Sequence, residues 1–133
     1  MIYHTPQQLA QQYGEPISSY RDMHGRVGTF YRVQGYLIMV QLLDGVSQSE
    51  VYVKETDEPL LEPEIAAILK ANAYGEEWES LSKVSPDLKG WFIRKTGAMS
   101  MVGPTFLNDR RYQNAISVGT YQYNQHTKAL NNN

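Results

Sequence analysis

The sequence predicts an α+β domain in which two short helices pack on an antiparallel meander sheet of about five or six strands, an ordinary sheet size. Three observations lead there. Amphipathic segments opened by a proline and closed by Tyr-Gly-Glu occur at 6–15 and again at 63–76. After each comes a stretch rich in β-branched and aromatic residues, the composition of strands. Within the first stretch Gln34-Gly35 and Asp44-Gly45 fit two-residue hairpin turns, whose central residues need positive φ.

The first helix is expected to start at Thr5-Pro6-Gln7-Gln8. Thr5 can accept from the Gln8 amide while Gln8 reaches back, and Pro6 fills the first helical position, where no donor is needed. Leu9, Ala10 and Tyr13 share one face, Gly14 can take the left-handed conformation that ends the helix, and Pro16 prevents its resumption. A helix of two turns has no stability of its own and must lie on something apolar. Strands follow at 27–33, 36–43 and 47–54. The middle one is apolar at every position from Tyr36 to Val40, so both of its faces should be covered, one by helices and the other by the second half of the chain.

A polar connector, 56–61, precedes the second helix, expected over 62–74 with Glu62 and Glu64 at its positive end and Gly75 closing it. Further strands are expected at 78–84, 91–95, 98–102 and 115–123. Thr96-Gly97 should form a turn, and Gly103-Pro104 and 108–114 loops. Residues 1–126 would then be one domain and 127–133, ending in three asparagines, a polar and disordered tail. The repeated helix ending admits two readings. Either an α-β-β-β unit is duplicated, or Tyr-Gly is simply a common way to close a helix.

Composition narrows the function classes. With 12 basic and 14 acidic residues the formal net charge is -2, so no global field draws the chain to nucleic acid. There is no cysteine, which removes disulfides, thiol nucleophiles and thiolate zinc sites. The longest apolar run, 36–40, is too short to span a bilayer. No targeting segment is visible. The expected compartment is the cytoplasm for the chain as written, and the periplasm or exterior if a signal peptide has been removed.

The run Tyr13-Gly14-Glu15-Pro16, then 35–45 ending in Asp44-Gly45, resembles the SmpA/OmlA-like small lipoproteins of outer-membrane assembly and the β-lactamase-inhibitor-protein-like domains. Glu64, Ile65, Leu69, Asn72, Gly75, Trp78 and Gly90-Trp91 extend the similarity toward small extracytoplasmic bacterial proteins with the same front half. The resemblance implies a non-enzymatic module that binds another protein in the bacterial envelope. The lipoproteins' anchoring cysteine is absent, and no functional residue is carried over.

No catalytic, metal or cofactor residue emerges from the motifs. His4, His24 and His126 have no ligand-spaced partner and are expected to be solvated. Glu76, Glu77 and Glu79 are the densest acidic cluster, but adjacent carboxylates after a helix make a solvated rim more readily than a two-sided acid-base site. Arg110, Arg111 and Tyr112 make a basic and aromatic spot in the expected loop, which reads either as a solvated turn with the tyrosine folded onto the sheet or, by its composition, as a protein contact. Tyr121 and Tyr123, two apart on an expected strand, would face the same way, and either form an aromatic ledge if Ile116 and Val118 point inward or cover the edge of the core. Those five residues are the expected interaction surface. Trp78 and Trp91 should anchor the core.

The expected function is therefore a non-catalytic protein-interaction module. The alternative is a small-ligand-binding or hydrolytic domain. Its pocket would lie between helix 62–74 and the sheet, lined by tyrosines and rimmed by residues 76–79.

Overall fold

Thr5 opens the first helix as its side chain requires. Its Oγ1 accepts from the Gln8 amide at 3.3 Å, and Gln8 Oε1 accepts from the Thr5 amide at 2.8 Å. The computed structural model describes residues 1–21, 26–107 and 109–131. From that cap the chain runs α1 (Pro6–Tyr13), β1 (Ser18–Arg21), β2 (Val27–Val33), β3 (Tyr36–Leu43), β4 (Val46–Lys54) and α2 (Glu62–Ala71). It continues through β5 (Glu79–Ser80), a single 3-10 turn Leu81–Lys83, β6 (Gly90–Phe92), β7 (Met99–Leu107), β8 (Arg110–Gly119) and α3 (Tyr121–Asn131).

All pairings are antiparallel, in the order β1-β2-β3-β4-β8-β7-β6-β5. Two four-strand meanders, each preceded by a helix, thus meet through their last strands. The element order repeats with four strands per unit rather than three. Gly14 closes α1 with φ +84°, and the two hairpin turns have the required positive φ, 50° and 85° at Gln34 and Gly35, 55° and 82° at Asp44 and Gly45.

Both early helices lie on the same side of the sheet. Leu9 of α1 and Ile65 and Leu69 of α2 are buried with Tyr31, Ile38, Val40, Tyr52, Ile116 and Val118, the inward residues of β2, β3, β4 and β8. On the opposite side the β7–β8 hairpin bends over the first meander, where Leu107, Tyr112 and Ala115 bury against Phe30, Val51 and Val53, with Leu37 and Met39 beside them. The apolar run of β3 is covered from both sides in this way.

Among the described residues the sheet has eight strands rather than five or six, and there are three α-helices rather than two. Each departure has a local cause. Gly103-Pro104 does not break the chain, because Pro104 sits in a register shift between Gly103 and Thr105, where its missing N–H removes no ladder bond. The expected loop 108–114 is largely strand β8. The expected strand 115–123 stops at Gly119, since Thr120 turns the chain and its Oγ1 accepts from the Tyr123 amide at 3.0 Å, capping α3. That helix continues through Asn131, across the boundary drawn at 126, so 127–131 is ordered as helix, whereas 132–133 lie outside the described residues. Strand 78–84 shrinks to two residues because Ser80 Oγ accepts from the Ser82 amide and starts the 3-10 turn. Trp78 precedes that strand and Trp91 lies within β6, both packed at the edge of the helix-side core.

Candidate functional site

Three places on the molecule have chemistry or shape enough to be a site. The first is a buried polar cluster on the helix side. The register sets Thr29, Val40, Glu50, Val118, Ser100 and Trp91 side by side across the sheet, which puts Glu50 in the middle of an otherwise mostly apolar row. Its side chain is fully shut from solvent. The Met1 ammonium stands 2.8 Å from Oε1 and 2.6 Å from Oε2, Tyr13 donates to Oε1 at 2.7 Å and Tyr52 at 3.3 Å. Asn72 extends the cluster, donating to the Tyr52 hydroxyl at 3.2 Å and accepting from the Ile2 amide at 2.9 Å.

Burial sets the electrostatics here. It pushes the Tyr13 hydroxyl well above its ordinary pKa, with Tyr52 and Glu50 adding to the rise, and does the same to Tyr52, where Glu50 is the next cause. Tyr74 is pushed up to about 12 by burial first and then by Glu50 and Tyr3. Burial also lowers the Met1 ammonium, outweighing the pull of Glu50. A carboxylate held by three donors and closed to water has no substrate to reach, so the cluster is an anchor tying the chain's start, α1 and α2 to β4.

The second place is a cleft of about 390 Å³ between α2 and the sheet, where the sequence suggested a pocket. Pro63, Ala67 and Ile68 line it from the helix, and Val33, Tyr36, Ile38 and Tyr52 from the strands, with Gln34 and Glu64 as its polar members. Glu76, Glu77 and Glu79 do not rim it. They line a separate open depression with Arg94 and Lys95, where Glu79 meets Arg94 at 3.2 Å and Glu76 meets Lys95 at 3.3 Å. The Arg94 hydrogen bond holds Glu79 below the usual carboxylate range, the opposite of what a general acid needs.

The third is the side of the sheet away from α1 and α2. One lateral row there is Met39, Val51, Ser117, Met101 and Gly90, and the next is Gln41, Ser49, Gly119, Met99, Phe92 and Glu79. Helix α3 covers the second row only in part: Asn124 lies against Gly119, and the Tyr123 hydroxyl donates to Gln41 Oε1. Met99 is 40% exposed and Phe106, on the hairpin beside Tyr20, Phe30 and Met39, is 67% exposed.

The five residues expected to form one interaction surface are separated by this geometry. Arg110 and Arg111 are exposed at the hairpin end, paired with Leu107 and Phe106. Tyr112 is not a loop residue but is buried on β8, with the Arg110 guanidinium 4.5 Å from its ring centre. Tyr121 and Tyr123 lie on a helix, where neighbours two apart point about 200° apart. No ledge forms: Tyr121 is exposed while Tyr123 turns inward to Gln41 and under Arg26. Phe106, Met99, Met101 and Phe92 were missed. The alternation Met99-Ser100-Met101 on a strand was the signal that one face there is apolar.

His4 and His126 are partly buried rather than solvated, each with an Nδ1 that has no partner among the described residues, and His24 lies outside the described residues. Among the described residues no His, Asp or Glu group is arranged to hold a metal, and no helix is long and apolar enough to cross a membrane. Compared with known proteins, the chain matches no family model, no curated protein and no solved structure.

Proposed function

We propose that the protein is a non-catalytic interaction module that holds a partner protein against the open side of its sheet. One observation carries this reading. The exposed Phe106 at the β7–β8 hairpin and the exposed Met99 with half-buried Met101 and Phe92 on β7 and β6 flank the seam between the two meanders, joined across it by half-buried Met39 and Ser117 over the buried Val51, and make a mostly apolar band. Aromatic residues and methionine are favoured at interface centres, and methionine adapts its shape to what it meets. Arg110 and Arg111 beside Phe106, and Glu79 and Arg94 beside Phe92, supply a charged rim. An envelope setting rests on the sequence resemblance alone.

The test is a retention experiment from bacterial envelope extract with wild type, Met99→Glu, Phe106→Ala and Tyr121→Ala, and with Ala66→Glu on the far side as control. A protein retained by wild type and by Ala66→Glu but lost with Met99→Glu and Phe106→Ala supports the reading. Equal recovery by all the variants removes the band from it. Loss with Tyr121→Ala as well would extend the contact onto α3.

A further inference from the structure

The cleft between α2 and the β2–β3 turn is on the opposite side of the sheet from that band, and its chemistry is different. We infer that it binds a neutral, largely apolar small molecule, an alkyl chain or aromatic ring carrying at most one uncharged polar end.

Three features define this ligand. The first is size: about 390 Å³ falls within the range of small-molecule sites and is more than twice the volume of a cavity that holds benzene. The second is that almost every polar atom of the lining is already committed. The Tyr36 hydroxyl donates to Glu64 Oε2, and Glu64 Oε1 takes Lys54 Nζ at 2.8 Å and the Leu61 amide at 2.8 Å. The Tyr52 hydroxyl serves Glu50 and Asn72. A charged ligand would lose its hydration without finding an unpaired counter-charge, so a neutral one is selected. Gln34, exposed on the turn, is the lining side chain left to meet an uncharged polar end.

The third feature is that the cleft is held open. Lys54 and Tyr36 both grip Glu64, fixing the first turn of α2 to β3 and β4. The helix residues facing the gap include Pro63 and Ala67, too small to fill it. A preformed apolar cleft loses little on binding, because its walls need no ordering.

The test uses N-phenyl-1-naphthylamine, a neutral apolar dye that fluoresces when it leaves water, titrated into the full chain. Saturable binding with one site is expected. Ala67→Phe, which fills the cleft, should weaken it by about tenfold or more, while Ala66→Phe, exposed on the same helix and not lining the cleft, should leave it unchanged. Decanol should displace the dye at a concentration about tenfold below that needed for decanoate or decylamine, on the same desolvation argument. Nuclear Overhauser contacts from dye protons to the Tyr36 and Tyr52 rings in the wild type locate the site independently of any variant. Absence of saturable binding, equal binding by Ala67→Phe, or no contact with either ring overturns the site. Displacement by decanoate or decylamine as good as by decanol overturns the ligand class.

Discussion

Replacing Glu50 by Gln tests whether the buried cluster holds the fold together. The substitution keeps the side chain's size and removes its charge. In the wild type one carboxylate receives the Met1 ammonium and two tyrosine hydroxyls, all donors. Glutamine offers one oxygen to those donors and turns an N–H2 group toward the rest, so at least one hydrogen bond to a charged group is lost, about 1.5–3 kcal/mol. The ammonium is also left without a counter-charge, and breaking a buried pair from one side costs about 3–5 kcal/mol in all. The lower end applies here, because the Met1 side chain keeps 29% exposure and the amine can swing toward water. For a domain of this length each kcal/mol moves the melting temperature by about 4 °C. Glu50→Gln should therefore melt roughly 12 °C or more below wild type by calorimetry. A Gly-Ser extension ahead of Met1 moves the amine away and should itself destabilise the wild type, but should cost much less in the Glu50→Gln background. If Glu50→Gln melts within about 4 °C of wild type, or if the two losses add to within about 0.5 kcal/mol, the amine and the carboxylate are not paired in the folded protein.

Asp57 accepts from the Gln113 amide at 3.1 and 2.9 Å and from the Asn114 amide at 3.0 Å, at φ +60°. Asp57→Ala should cost about 1–3 kcal/mol, and Asp57→Gly about 1 kcal/mol less because glycine tolerates the positive φ; chemical denaturation showing no loss in either variant would dismiss the carboxylate as an anchor. A Cβ at Gly28 would fall on the Tyr20 ring, so Gly28→Ala should cost roughly 1–3 kcal/mol. In a Tyr20→Ala background that cost should largely vanish, and a cost that persists there would place the crowding elsewhere. Tyr3, Tyr13, Tyr31, Tyr52, Tyr74 and Tyr123 all have raised pKa values, with burial the first cause in each. The unfolded chain releases these protons first, so the stability they confer is complete below about pH 10 and is lost as pH rises toward and past the value of about 12 at Tyr74. Denaturant midpoints measured from pH 8 to 11 should fall only in the upper part of that range, and a flat profile would contradict the burial.

The parts of this fold legible in the sequence are those decided by neighbours in the chain. The Thr5 capping box, the bounds of β2 and β3 and the turn at Asp44-Gly45 follow from local hydrogen bonding and positive φ. Distant contacts decide the rest. Ser18–Arg21 has no apolar alternation, and is a strand because β2 offers it an edge. Tyr121 and Tyr123 have the composition of a strand, yet Thr120 is fixed by its hydroxyl to Gln48 Oε1 at 2.7 Å, and from there it caps a helix. Glu50 lies in a polar stretch, Ser47 to Glu50, that looks solvent-facing, and its burial depends on Met1 and on Tyr13 of α1, which come to it from far along the chain and join its strand neighbour Tyr52. Of the candidate sites, the cleft beside α2 was legible because both of its walls were expected elements. The open band was hidden, since it needs the register between β4 and β8 to bring Met39 and Val51 into line with Met101.

That register also explains why two similar units make one sheet. The seam itself is short, four residue pairs between β4 and β8. A second set of ties crosses it away from the strands: the Ile2 amide to Asn72 on the helix side, and Asp57 to Gln113 and Asn114 on the connector side. Each joins residues more than 50 apart in the chain, so each forms only once both units are in place. The core shared by the two helices has the same character, because Leu9 of the first unit and Ile116 and Val118 of the second are buried in one cluster. On the far side the hairpin residues Leu107, Tyr112 and Ala115 do the same against Phe30, Val51 and Val53, so the two units are joined from both sides of the sheet. On that far side, among the described residues, Met99 is exposed and Met101 and Phe92 are half-buried, and it is on these that the proposed partner contact rests.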